Sequence, residues 1–526
     1  MGKIAKYLNQ LIIGNAFDAP EILEKYSTDN SPLRIKPKFV IFPESTDDVQ
    51  KLMRFFNQLA NKDIKVAVTA RGAGSSKTGA DLTNGVVIST EKLNNLLEID
   101  PRERLVRVQS GITLRELNTA LSVSGLTVPI EGYDEETIGG LISNHTIDDL
   151  AGKYGRIYEA VERIEVVLAN GERLQTERFK KYALAKKAAE KSFEGKVYQK
   201  MAKIIKEKDE IIRGIDKNSL AGYSMIKELQ KKESLDLMPI FFGAEGSLGI
   251  ITEVILKAVP VKNHQKRVVA TFREIGSAIK YAEEIEFYKP SKINLYDLKI
   301  LMKAREAGKN LDGIIRKLED GFVVFASFDD RYSFSMKKIE GLREKFPRTA
   351  KFIFEADKNK QILDEFENTL TNYLNFVKDG ERVPILTDFY LPRENLANFL
   401  RDLEVLENKM KIKLEIYGSL MTSIYHLRPK FNLEDDDFSK KATMLLRAGS
   451  FVIERQGGNL AGGVSEGRLK SIITNKILSD EEKNLYLEIK KIFDNNGILN
   501  PDVKLGADSK FTLTHFRTNN IPKIML

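Results

Sequence analysis

Apolar and polar positions follow two rhythms along this chain. Between residues 35 and 110, short apolar runs of period two are separated by a stretch of period near 3.6. PKFVIFPES reads as a strand ending in a turn, and STDDVQKLMRFFNQLANK as a helix. Ser45 or Thr46 can cap that helix, Asp47 and Asp48 suit its first turn, and Val49, Leu52, Met53 and Phe56 form its apolar face. IKVAVTARG, GVVIST and RLVRVQSG read as further strands, and LRELNTALSVSG as a helix closed by Gly125. Residues 161–178 predict a hairpin turning at Asn170-Gly171, a pair that tolerates positive φ.

Residues 179–235 are Lys-rich with a helical pattern, and IFFGAEGSLGIITEVILKAV returns to strands around a glycine-rich turn. From 265 to 450 the strand-like pieces RVVATF, GFVVFASF, LTDFYL and IKLEIYG alternate with helical IGSAIKYAEEIEF and RENLANFLRDLEVLENKM. A charged amphipathic helix over about 480–494 then leads into GILNPDVKLG. No internal repeat and no low-complexity tract interrupts the pattern.

Composition narrows the picture. A chain of 526 residues with 42% hydrophobic and 30% charged content is ordinary globular material, not a disordered or collagen-like one. With no cysteine, disulfides, zinc–cysteine sites, cysteine-ligated iron–sulfur clusters and thiol nucleophiles are excluded. The net charge of +8 is local: ten lysines and three glutamates lie between Lys180 and Lys208. The rest is near neutral, which argues against nucleic acid as a partner. No apolar run reaches the roughly 18 residues of a membrane span. MGKIAKYLNQLIIGNAF lacks a signal-peptide pattern, and Lys6 breaks a myristoylation match.

Three motifs carry chemistry. In ARGAGSSKTGADL, after a strand, Gly72, Gly74 and Gly79 permit positive φ and close backbone approach, so successive N–H groups can face an anion. Ser75, Ser76 and Thr78 add hydroxyls, which suits a pyrophosphate. The spacing is not that of a P-loop. In EGYDEETIGGLISNHTIDDLAGKYGRI, Gly139 and Gly140 remove side chains where a ligand would pass, and Ser143, Asn144, His145 and Thr146 follow with polar groups. In GAEGSLGIITE, three glycines open a strand. Taken singly, each motif reads better as a tight turn between strands.

Together and in this order they resemble the FAD-linked oxidases and dehydrogenases of the vanillyl-alcohol oxidase / p-cresol methylhydroxylase fold. The type is that of D-lactate dehydrogenases, the glycolate oxidase flavoprotein subunit and D-2-hydroxyglutarate dehydrogenases. EKYSTDNSPL, PKFVIFPESTDDV, ARGAGSSKTG, VQSGITLREL, TIGGLISN, KYGRI, VVLANGE, FFGAEGSLGIITE and FDNNGILNPDVKLG carry the resemblance over nearly the whole chain. It implies an α+β protein with a two-subdomain FAD-binding domain of the p-cresol methylhydroxylase type and an α+β cap. The division would be an N-terminal helical segment (1–34), the FAD domain (35–262, with the Lys-rich insert at about 179–235), the cap (263–450) and a C-terminal segment completing the flavin site (451–526).

It also implies where FAD lies. The pyrophosphate would sit on Arg71, Gly72, Ala73, Gly74, Ser75, Ser76, Gly79 and Ala80. Thr137, Gly139, Gly140, Ser143, Asn144 and His145, with Glu245, Gly246, Gly249 and Ile251, would flank flavin and adenosine, and Asn500 would close the site. Ser75 stands where several members of the family carry a histidine bonded to the flavin, so the implied FAD is noncovalent.

The departures are in the cap and C-terminal motifs. Where the family has GHxGDGNxH, this chain runs from Gly418 through Ser419 to His426, keeping only the last histidine. Where the family has GEHGIGRLK, it reads Gly462, Gly463, Val464, Ser465, Glu466, Gly467, Arg468, Leu469, Lys470, so a metal-binding acid and a basic histidine are gone. Asp148 stands where the family has glycine. One imidazole remains of two imidazoles and a carboxylate, too few donors for a divalent ion; no metal is expected. His426 is then the candidate base or substrate hydrogen-bond partner. Arg428 and Arg468 could clamp a carboxylate, although each reads equally well as half of a structural ion pair, and Glu466 could turn into the same cavity. His264 and His515 read as surface residues.

The function expected is oxidation of a small hydroxy-acid or alcohol-type substrate by hydride transfer to flavin, with a quinone, a flavoprotein or oxygen as electron acceptor. Two alternatives remain: a flavin-binding module that has lost catalysis, or a metal-free oxidase or reductase of a sugar, polyol or lipid-like substrate. The expected location is cytoplasmic. The Lys180–Lys208 run is either a solvated helix face or a contact with the inner face of an anionic membrane.

Overall fold

In the computed structural model the chain forms three sheets that matter for the site. The structure describes residues 2–262, 265–306, 311–315, 320–329, 336–346, 351–355, 357–375, 383–429, 431, 437–464 and 466–517. His264 lies outside them.

The first sheet has the order Asn15–Phe17, Phe39–Phe42, Val86–Ser89, Val68–Arg71, with parallel pairing among the last three. Its helix, Thr46–Ala60, is capped by Ser45, whose side chain accepts the Asp48 N–H. Val49, Leu52, Met53 and Phe56 are buried, as the 3.6-residue spacing predicts. The second sheet is antiparallel, in the order Leu96–Asp100, Leu105–Gln109, Ile250–Lys257, Val161–Val167, Arg173–Gln175. Helix Leu114–Ser122 packs on it behind a reciprocal Thr113/Glu116 capping box. The hairpin turns at Gly171, with φ +79°. These sheets are the two subdomains of the FAD-binding half.

The third sheet is the cap: seven strands, all antiparallel, in the order Lys351–Phe354, Lys266–Phe272, Phe322–Phe328, Lys292–Asp297, Leu414–Ser419, Ile424–Pro429, Phe389–Tyr390. Alternation divides each strand between two faces. Ile293 and Leu295 enter one apolar core with helix Ile275–Glu286. Tyr296 enters the other, with Phe325 and Phe366. Lys292 and Asn294 share that second face, toward the FAD half.

Two local expectations change. LTDFYL supplies only a two-residue strand, Phe389–Tyr390. The stretch before Ile250 is a 3-10 turn, Met238–Phe241, and the glycine-rich loop, where the N–H groups of Gly243 and Glu245 donate to the carbonyls of Ile142 and Ser143. The C-terminal segment returns to the first half: helix Asp480–Phe493 buries Leu485, Tyr486, Ile489 and Phe493 there, and Leu499 bridges to Val68. The Lys-rich insert packs on the same core through Val197, Tyr198 and Met201 of helix Phe193–Glu207, leaving Lys196, Lys200 and Lys203 exposed. No described helix is long and apolar enough to cross a membrane.

Candidate functional site

The phosphate loop follows strand Val68–Arg71 because Gly74 turns at φ +74°, a region L side chains avoid. Behind it lies a cleft of about 620 Å³. Arg71, Gly72, Ala73, Gly74, Ser75, Ser76 and Ala80 form one wall. Gly139, Gly140, Ser143 and Asn144 form a second, and Glu245, Gly246, Gly249 and Ile251 a third. Ser110, Asp81, Thr90 and Glu136 also line it; the quoted motifs include all but Thr90, but none of the four is a site candidate from the sequence.

The glycines serve the protein's own packing as well as a ligand. A Cβ on Gly72 would stand 2.2 Å from Thr137 Oγ1, and one on Gly139 2.8 Å from Ser110 Cβ. Ser110 Oγ is buried here with no hydrogen-bond partner, and Asp81 Oδ1 likewise. A cleft walled by backbone, with hydroxyls at Ser75 and Ser76 and an unpartnered one at Ser110, fits a dinucleotide such as FAD.

The remaining sequence-derived contacts fall elsewhere. Gly79 faces Leu33, whose Cδ1 a Cβ would approach to 2.7 Å. Thr137 caps helix Ile138–Asn144, accepting the Gly140 N–H, and lines the neighbouring groove with Tyr26 and Arg71. Asn500 is a brace: its Nδ2 donates to Ala80 O (2.8 Å) and Glu245 O (2.6 Å), and Thr69 donates to its Oδ1 (3.1 Å). It thus ties two cleft walls to the sheet. His145, the left-handed cap of its helix, is wholly buried edge-on to Tyr158 and Phe242. Burial, then the charges of Arg156, Lys227 and Lys504, push its pKa down to about 3, so it is neutral.

A second space, about 920 Å³, lies between the cap sheet and the FAD half. The phosphate loop is a shared wall: Ser75 and Ser76 line the cleft, and Lys77 lines this cavity. Asp148 and Asp149 line it from the FAD half, and Lys292, Asn294, Tyr417 and His426 from the cap. Lys292 bonds Glu131 (2.5 Å) and Glu367 (2.8 Å). Asn294 donates to Asp149 (2.6 Å) and to Tyr296 OH (3.1 Å). Lys153 and Tyr154 bind Asp329 and join the halves further.

His426 stacks on Tyr417 at 4.6 Å, as register pairs them across adjacent strands. Its Nδ1 accepts the backbone N–H of Asp388 (3.2 Å). Burial holds its pKa at about 4 despite the Asp388 carboxylate 3.6 Å away. The neutral ring therefore carries its hydrogen on Nε2, which makes His426 a donor toward a bound molecule rather than a base. Lys77 has no ion-pair partner within the described residues. Burial alone would lower its pKa, but the Asp388 carboxylate and other neighbours raise it, so it is a cation.

Three candidates need correction. Glu466 does not turn into this cavity: it is fully buried against Lys504 (2.7 Å), accepts the Gly222 N–H (2.8 Å) and bonds Thr474. Arg468 clamps no open space, since its guanidinium donates to Leu82 O (2.9 Å) and Pro501 O (3.2 Å). His515 is half-buried, its ring tilted against Phe511 with centroids 4.1 Å apart. Arg428 is buried on the His426 face of its strand, opposite Glu415. Among the described residues no group of three or more His, Asp or Glu side chains is arranged to hold a metal. Gly463 has no room for the family's carboxylate, because a Cβ would meet Ile424 Cγ2 at 2.5 Å and Asp388 O at 3.0 Å. The donor set does not fit a divalent ion.

Two family models match the chain. Residues 37–177 match the FAD binding domain, and residues 261–503 match the C-terminal domain of FAD linked oxidases. A D-2-hydroxyglutarate dehydrogenase of Pseudomonas putida is 25% identical over 505 residues, covering 90% of this chain and 49% of that protein. The chain thus spans about half the length of such relatives. The glycolate oxidase subunit GlcD of Bacillus subtilis is 24% identical, with 92% of this chain and 93% of that one covered. A D-lactate dehydrogenase of Archaeoglobus fulgidus is 24% identical, with 91% and 95% covered. In structure, the 4-ethylphenol oxidase from Gulosibacter chungangensis superposes with a TM-score of 0.69 at 16% identity, covering 96% of this chain and 97% of its own. p-Cresol methylhydroxylase superposes with a TM-score of 0.69 at 13% identity, with 95% of each chain covered.

Proposed function

We propose that this chain, which joins an FAD binding domain to the C-terminal domain of FAD linked oxidases, is an FAD-dependent dehydrogenase of a small hydroxy-acid or alcohol-type substrate. It would work with noncovalent FAD and without a divalent metal. The observation that carries this reading is the shared wall: one loop presents Ser75 and Ser76 to the dinucleotide cleft and Lys77 to the cap cavity. The names of the relatives support the substrate class, since 2-hydroxyglutarate, glycolate and lactate are all hydroxy acids.

FAD held by the cleft would supply an acceptor for the hydride of the substrate's hydroxyl-bearing carbon, passing the electrons on to a quinone, a flavoprotein or oxygen. The chain does the rest. Lys77 is placed to hold a carboxylate as a point charge. His426 donates its Nε2–H to a substrate oxygen, with Asp388 and Tyr417 fixing the ring. Polarisation that relatives' motifs assign to a metal falls here to these two groups, because Gly463 and Val464 offer no lone pair and Ser419 only a hydroxyl.

The test is anaerobic mixing of the purified holoenzyme with a panel of hydroxy acids and alcohols. One class should bleach the flavin absorbance, at a rate unchanged by chelator, and acid precipitation should leave the yellow colour in the supernatant. Activity lost on chelation and restored by zinc or manganese would overturn the metal-free reading. A flavin that no member of the panel bleaches would overturn the dehydrogenase.

A further inference from the structure

We propose that Asp148 is the proton acceptor of this site, its carboxylate taking the hydroxyl proton as the substrate carbon gives up hydride. The inference rests on the dehydrogenase reading above. Oxidation of a hydroxyl carbon to a carbonyl breaks one C–H and one O–H bond, so the cavity needs a lone pair that is not already engaged.

Several of the cavity's titratable groups are engaged elsewhere. His426 Nδ1 is taken by the Asp388 N–H, and its other nitrogen carries the hydrogen. Lys77 and Lys292 are ammonium groups. Glu131 and Glu367 are bound to Lys292, at 2.5 and 2.8 Å. Asp149 is held from the cap, by the Asn294 side chain. Asp148 is held by the backbone of its own half. Its Oδ2 accepts the backbone N–H groups of Glu131 (3.1 Å) and Leu150 (3.2 Å), which orient the carboxylate. Its Oδ1 receives no hydrogen bond from any described residue, and the side chain lines the cavity while only 5% of the residue is exposed.

Position supports the same role. The N–H of Ile147 donates to Gly463 O at 3.0 Å. That bond sets Asp148 beside the strip where the family's motif would carry its acid and its basic histidine, and where this chain has Gly463 and Val464. The carboxylate also replaces a glycine of the family pattern. A base is missing on one side of this contact and a carboxylate is added on the other.

The surroundings suit a base near neutral pH. Burial, with the charges of Asp149 and Glu131, pushes the Asp148 carboxyl up to about 7 against the two backbone bonds. Tyr133 from its own half, Lys77 from the phosphate loop, and Lys292 and His426 from the cap share the cavity with it.

The decisive variant is Asp148→Asn, which keeps an oxygen for the two backbone bonds. Stopped-flow reduction of wild-type holoenzyme should rise with pH to a plateau through about 7. Asp148→Asn should hold its flavin, lose that limb and react about 10²–10⁴ times more slowly on the plateau. Infrared difference spectra of substrate-free holoenzyme across the same pH range should show a protonated carboxyl band that is absent from Asp148→Asn. Unchanged rate, a retained limb, or an unchanged carboxyl band would overturn the assignment. So would uniform slowing with flavin loss, which marks a structural role. If wild type is reduced and the variant is reduced equally, only the Asp148 role falls. If no hydroxy acid or alcohol reduces wild type, the dehydrogenase reading falls and takes this role with it.

Discussion

The flavin cleft and the cap cavity share a wall but are made of different material. The cleft is walled mostly by backbone, glycines and small hydroxyl side chains from three short segments, with Arg71, Asp81, Glu136 and Glu245 among them. The cavity is walled by long charged and aromatic side chains brought from the phosphate loop, the 131–133 and 147–149 segments, and four strands and one helix of the cap. An anion cradle needs backbone geometry, which a few neighbouring glycines provide. A substrate cavity needs side-chain charge at set distances, which strand register provides. The cleft carries the glycine motifs of the resemblance, whereas the cavity is lined by a carboxylate at 148.

Substitutions can break or sharpen this contrast. The largest effect is expected at a place that belongs to neither space. Glu466→Gln removes the nearer carboxylate of a buried ion pair and leaves Lys504 to Glu245, 3.7 Å away, a change worth about 3 kcal/mol. Denaturant unfolding should show that loss, while protein that still holds flavin should be reduced within about tenfold of the wild-type rate. A Glu466→Gln protein of normal stability but abolished reduction would return Glu466 to the chemistry.

Next comes His426→Ala. Removing a single fixed donor at a reacting oxygen typically costs about 10²–10³ in rate. Anaerobic reduction should slow by that range with flavin content unchanged. Flavin loss would show that cleft and cavity are not separable. The smallest of the three is Gly139→Val. The added side chain overlaps Ser110, and overpacking of this kind costs about 1–3 kcal/mol. Flavin retention after gel filtration should weaken roughly tenfold, while the cap cavity and any bound substrate analogue are untouched.

Much of the architecture was legible without coordinates because its causes are local. Ser45 caps its helix and Gly171 turns its hairpin through interactions within three or four residues. Gly74 and the ARGAGSSKTG motif face the cleft for the same reason, as a positive φ is a property of one residue. Strand KINLYD is not among the strand-like pieces read from the chain, and the meaning of its polar face is not local either, since Lys292 and Asn294 acquire it only opposite Glu131 and Asp149.

The sequence by itself determined the cradle: glycine spacing, caps and apolar periods act over a few residues and need no distant partner. Only the tertiary structure decided the chemistry of the cavity. Glu466 meets Lys504 and Gly222, not substrate. His426 becomes a donor because a backbone N–H from residue 388 occupies its other nitrogen. Asp148 comes to stand beside Gly463, more than three hundred residues away, through one hydrogen bond from Ile147. The strength of a charge and the direction of a proton depend on burial and on whichever groups the fold brings within about 4 Å, and no local pattern in the chain encodes those neighbours.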